Sequence, residues 1–162
     1  MYLRFIAIFL ILLSSCLTGQ AACIAVVPAG AEHMFRLEVI RGARTAAMEK
    51  GYETYVRSPN TERNEDGQIL IIKSALEEGC KGIMVAPNSA DLLSKVPEVA
   101  SRKMPVVFFD RDMGGTPPSS TVKTDNFQAG YLAGRAMVKR LNGKGRVALL
   151  RMHIKVTSTT ER

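Results

Sequence analysis

Three charged residues, Asp110, Arg111 and Asp112, follow directly on the apolar run Val106-Val107-Phe108-Phe109. A carboxylate beside a guanidinium can accept from, and donate to, neighbouring hydroxyls of one polyol. Four consecutive apolar residues, entered through Met104-Pro105, read as a strand buried on both faces inside a parallel sheet. Open α/β sheets place their ligands beyond the carboxyl ends of such strands, and that is where Asp110 and Arg111 would be delivered. Taken alone, the same three residues equally suit a solvated turn.

Other chemistry has little to stand on. His33 and His153 are the only histidines, and no Cys or His pair has zinc-ligand spacing, so no metal is expected. Neither GxGxxG nor GxxxxGK[ST] occurs, and Gly143-Lys144-Gly145 reads as a helix-to-strand turn; no cofactor is expected. No serine sits in a GxSxG elbow. The carboxylates near Asp110 could imitate an acid/base pair, but they lack a nucleophile or metal, so the chain is read as a non-enzyme with no catalytic residues.

The elements that must position Asp110 and Arg111 alternate along the chain. Apolar runs recur at 23–27, 54–56, 82–86, 106–109 and 147–150, most of them separated by segments of helical period. That alternation implies βαβ units and an α/β fold with a parallel sheet. The expected fold class is Rossmann-like, with the strands in flavodoxin-like order and helices on both faces. Helices are expected over 35–50, with Phe35, Val39, Ala43, Ala46 and Ala47 inward, and over 65–78, with Ile69, Ile72, Ala75 and Leu76 inward. A third, over 90–102 with Leu92, Leu93, Val96 and Val99, contains Pro97, which must kink it or begin it. Gly114 to Ser120 is a breaker cluster, 121–124 a short strand, and Asp125 the cap of a helix reaching Leu141. The last strand is expected over 146–151.

The N-terminus addresses location. Arg4 precedes nine apolar residues, Phe5 to Leu13, too few for a membrane-spanning helix but suited to a signal-peptide core. Leu13-Ser14-Ser15-Cys16 resembles the bacterial lipobox, which would make residues 1–15 the signal, Cys16 a lipidated first residue and 16–22 a linker. Ordinary cleavage after Ala21 competes, but it would leave Cys16 unexplained. Either route exports the protein to the periplasm or cell envelope, with a lipid anchor if the lipobox is used.

Residues 16 to 162 suffice for one domain. The net charge of +7 invites nucleic acid, yet Lys and Arg are scattered among Glu and Asp with no aromatic platform, so no nucleic-acid partner is expected. Three cysteines do not make a disulfide scaffold. Cys23 and Cys80 both precede strands that could be neighbours, which makes a bridge geometrically conceivable; buried free thiols are the expectation.

With these residues in place, the chain resembles the periplasmic sugar-binding proteins of the ribose-binding type, whose fold is shared with the effector domains of lac-repressor-like regulators. The matching pieces are Ala25-Val26-Val27 to Phe35, Gly42-Ala43, Gly51-Tyr52, Gly82-Ile83-Met84-Val85-Ala86-Pro87, Met104 to Arg111, Thr124-Asp125-Asn126, Ala129-Gly130 and Thr157 to Arg162. The resemblance implies two lobes joined by hinge strands that clamp a small-molecule carbohydrate, handed to the membrane permease of an ABC importer. Residues 23–123 would be the N-terminal lobe and 124–162 the crossing and a truncated start of the second. It further implies a ligand set of His33, Phe35, Arg36, Asp110, Arg111, Asn126 and Arg162. Of the amide and two aromatics that the family places in the first loop, only Phe35 is kept. Arg36 would suit a carboxylated or phosphorylated polyol, since a guanidinium pairs bidentately with such groups. A receptor's extracytoplasmic sensing domain is the rival reading.

Overall fold

The apolar runs become β1 (Cys23–Val27), β2 (Glu53–Val56), β3 (Gly82–Val85) and β4 (Val106–Phe109), joined by a short β5 (Ser120–Val122). The helices are α1 (Met34–Glu49), α2 (Glu65–Glu77), α3 (Pro97–Ser101) and α4 (Asn126–Arg140). This computed structural model describes residues 22–30, 33–150 and 160. The five strands are all parallel, in the order β2-β1-β3-β4-β5, which is the flavodoxin-like order expected.

Alternation within the strands sorts the core. Ala25 and Val27, Ile83 and Val85, and Val106 and Phe108 share one face and bury Ile72, Ala75 and Leu76 of α2 together with Leu92, Leu93, Val96 and Val99. On the other parity Met84 and Phe109 pack with Val39 of α1. Helices on both faces explain why the strands are continuous apolar runs, not alternating ones.

Local chemistry fixes the boundaries. Asn64 caps α2 by accepting from the Gly67 N–H at 2.9 Å, and Glu65 and Asp66 occupy the positive end of the helix dipole. Asp125 caps α4 in the expected way, accepting from Gln128 N–H at 2.8 Å. Gly51 and Gly79 follow α1 and α2 with φ of 74° and 79°, the left-handed turn that an L-residue adopts only at a cost.

Several expectations are corrected. The helix expected over 90–102 is only α3: residues 90–95 form turns and Pro97 takes the first helical position, where its missing N–H costs nothing. Residues 146–150 form no strand. A strand exists only when a neighbour accepts its hydrogen bonds, and Leu149 and Leu150 are instead 91% and 99% exposed. On α1 the buried residues are Ile40 and Ala47, while Phe35 and Ala46 face outward.

Cys23 and Cys80 are not free thiols but a disulfide across 57 residues of sequence, with Cα atoms 4.4 Å apart. The cause is register. Ile24 pairs with Gly82, and Lys81 N–H donates to the Cys23 carbonyl at 2.8 Å, so Cys80 stands beside the first residue of β1.

Candidate functional site

β1 and β3 lie side by side, but the chain leaves them in opposite directions, toward β2 from one and β4 from the other. Such a switch point opens a crevice beyond the carboxyl ends of the strands. Four loops leave that end of the sheet, beginning at Pro28, Arg57, Ala86 and Asp110.

Asp110 turns the chain at the end of β4. Its N–H still donates to Val122 of β5 at 3.1 Å, but its φ is +67°, and the next N–H, of Arg111, returns to the Phe109 carbonyl at 2.7 Å. This three-residue turn with positive φ is strained for an L-residue, although aspartate tolerates the left-handed region better than most. Strained turns persist where the surroundings over-determine them, and they cluster at functional sites.

Arg111 is only 11% exposed in its side chain. Its Nη2 donates to Glu62 Oε2 at 3.0 Å, and its Nε lies 3.6 Å from Asp110 Oδ2, too far for a hydrogen bond. That Nε is buried without a hydrogen-bond partner among the described residues. A buried guanidinium donor left open costs free energy until an acceptor arrives, and a ligand oxygen is one such acceptor.

Arg36, in the first turn of α1, donates from Nη2 to the other oxygen of Glu62. Glu62 thereby bridges two guanidiniums, one per carboxylate oxygen. Burial alone would raise the Glu62 pKa, but the charges and hydrogen bonds of Arg111 and Arg36 outweigh it and hold the carboxyl below its ordinary range. The loop carrying Glu62 is seated by Gly30: a Cβ there would lie 2.9 Å from Glu62 N and 3.1 Å from Thr61 C, so only glycine lets the two loops touch.

Beneath the charges lies a neutral polar floor. Gln68, fully buried on α2, donates to the Ala86 carbonyl at 2.8 Å and accepts from Asn88 N–H at 2.9 Å. Asn88 Nδ2 donates to the Ala29 carbonyl at 2.7 Å, tying the ends of β1 and β3 together.

Of the residues singled out in the sequence, Asp110 and Arg111 are adjacent at the predicted strand end, and Arg36 joins Arg111 through Glu62. Phe35 lies in the same helical turn as Arg36 and is 50% exposed; His33 occupies the N-cap position of α1, exposed and making no side-chain cap bond. Asn126 opens α4, beyond β5, and is buried. Arg162 and Cys16 lie outside the described residues. Glu62, Gln68 and Asn88 were not anticipated. Gln68 carried a faint signal, a polar residue on the buried stripe of α2 with Ile72, Ala75 and Leu76; Glu62 carried none, because an acid in a polar loop is ordinary until its partners are known. Among the described residues no group of three or more His, Cys, Asp or Glu side chains is placed to hold a metal.

Comparison with known proteins bears on the fold and the family. The D-apiose import binding protein of Paraburkholderia graminis is 28% identical over 131 residues, covering 79% of this chain and 41% of its own. The crystal structure of an ABC-type sugar transport system periplasmic component from Hahella chejuensis is 33% identical, with a TM-score of 0.74 over 85% of this chain and 52% of the other. The fructose-binding periplasmic domain of a hybrid two-component system shares the fold, with a TM-score of 0.64 at 21% identity over 76% of this chain and 41% of its own length. The chain thus spans about half the length of the relatives it matches. The sequence pattern of the periplasmic binding protein domain matches residues 24–162, which takes in all of the sheet but its first residue and every loop around the crevice, and the chain belongs to that family.

Proposed function

We propose that this chain supplies one jaw of an exported sugar-binding protein that delivers its ligand to the permease of an ABC importer. The observation that carries the reading is the Asp110–Arg111 pair on its strained turn at the carboxyl end of β4, one strand from the switch point, with a buried guanidinium donor left without a hydrogen-bond partner among the described residues. Phe35 offers an apolar face to a sugar ring while the charged rim meets its hydroxyls. Residues 23–123 act as the first lobe, the chain crosses near Thr124, and Asn126 and Arg162 contribute from the far side on closure. Nothing in this arrangement transforms a ligand; it binds and hands over. Export follows from Arg4 and the Phe5–Leu13 run, with anchoring through Cys16.

The test is calorimetric titration of the whole gene product with D-apiose, D-ribose, D-allose, D-galactose and D-fructose. Binding of one of them at micromolar or better affinity, with the sugar recovered unchanged, is expected. Failure with all five would remove the sugar assignment. A sensing role is the second reading, favoured by the two-component relative. The gene beyond codon 162 distinguishes them: a membrane-spanning helix after the second lobe marks a receptor.

A further inference from the structure

Arg36 invites an anionic ligand when read from the sequence, yet in the structure its guanidinium is already engaged. Glu62 gives one carboxylate oxygen to Arg36 and the other to Arg111, in the arrangement that a ligand carboxylate or phosphate would otherwise take. We propose that Glu62 is a specificity-determining residue, a built-in counter-ion that turns away sugar acids and sugar phosphates and reserves the site for neutral sugars. This rests on the sugar-binding reading above.

Three observations support it. The Arg36 and Arg111 side chains are only 14% and 11% exposed, so they are not solvated charges waiting for whatever arrives. Asp110 and Glu62 balance Arg36 and Arg111, and an added anion would meet two carboxylates at close range. Like charges brought together in a partly dry site weigh heavily against the wrong partner. Finally, Gly30 admits the Thr61–Glu62 backbone against the first loop, so Glu62 is held in place by packing as well as by charge. The arrangement leaves Arg111 Nε as the donor still open, and one neutral hydroxyl oxygen satisfies it.

The experiment compares matched probes on the whole gene product and on Glu62→Gln. The native protein should prefer D-galactose to D-galacturonate, and D-ribose to D-ribose 5-phosphate, by on the order of a hundredfold or more wherever the neutral sugar binds. Inorganic phosphate, followed by NMR of the arginine Nε–H signals, should not bind the native protein measurably and should bind Glu62→Gln at least about tenfold more tightly. The double variant Arg36→Met with Glu62→Gln should lose that gain, because only one guanidinium then remains, faced by Asp110. A role in structure alone would shift stability without creating an anion site. Native protein that binds galacturonate or ribose 5-phosphate as well as the neutral sugar would overturn the proposal, and needs no variant to fold. So would a folded Glu62→Gln that gains no phosphate binding. If none of the sugars binds, the sugar reading fails while the phosphate comparison still decides whether Glu62 is the counter-ion.

Discussion

At the scale of single residues, Asp110 carries two separable burdens, its carboxylate and its backbone. Replacing it by alanine should remove hydrogen bonds to ligand hydroxyls, costing about 1 to 3 kcal/mol per group left unpaired, or about five-fold to over a hundred-fold in affinity. Asp110→Gly should lose the same affinity but be the more stable of the two variants by about 1 kcal/mol, because glycine accepts φ of +67° without the Cβ clash. Equal unfolding midpoints for the two would show that the turn is unstrained. Glu62 predicts a pH dependence. Its folded pKa lies below the unfolded value, so its contribution to stability is complete above the ordinary glutamate range of about 4.3 and is lost as pH falls through the depressed folded value. The stability gap between native protein and Glu62→Gln, read by urea unfolding, should therefore close in acid; a gap unchanged down to pH 2 would contradict the ion-pair assignment. Asp110 and Arg111 were legible because an apolar run ends on them. Glu62 was not, because its meaning comes from Arg36 and Arg111, 26 and 49 residues away.

At the scale of elements, the strands were legible because a doubly covered parallel sheet demands short apolar runs; their order was not, since the same alternation with helices serves more than one doubly wound order, and the flavodoxin-like expectation went beyond what it shows. What sequence could not supply was partnership. Val147 to Leu150 has the composition of a strand but no neighbour among the described residues, and Cys23 and Cys80 gain each other only through the register of β1 against β3. That bridge closes a long loop, and loop-closure entropy alone assigns it about 4 kcal/mol, with 2 to 4 the usual measured yield. Reduction, or a Cys23→Ser with Cys80→Ser pair, should lower the unfolding free energy by that amount. Sugar affinity should stay nearly constant, since the bridge lies at the opposite end of β1 from the crevice. Loss of binding without loss of stability would show the two ends to be coupled.

At the scale of the whole molecule, α4 stands apart from the rest. Phe127, Tyr131, Leu132, Met137 and Val138 are exposed along it, joined by Val147, Leu149 and Leu150. Apolar surface gathered in this way favours association. Residues 22–162 produced alone should elute as oligomers on size exclusion with light scattering, and Leu132→Glu should shift them toward monomer. A monodisperse monomer of the unsubstituted chain would show that this face is satisfied without a partner. One further consequence belongs to the Cys23–Cys80 bridge. β1 is flanked by β2 and β3, and among the described residues its first residue is the one point where the sheet is fastened covalently as well as by backbone hydrogen bonds. In a reducing compartment the thiols stay separate and only hydrogen bonds hold the start of β1, so the sheet is easier to open there. Where oxidants reach it the clasp shuts, so arrival in the right compartment becomes part of the folding reaction.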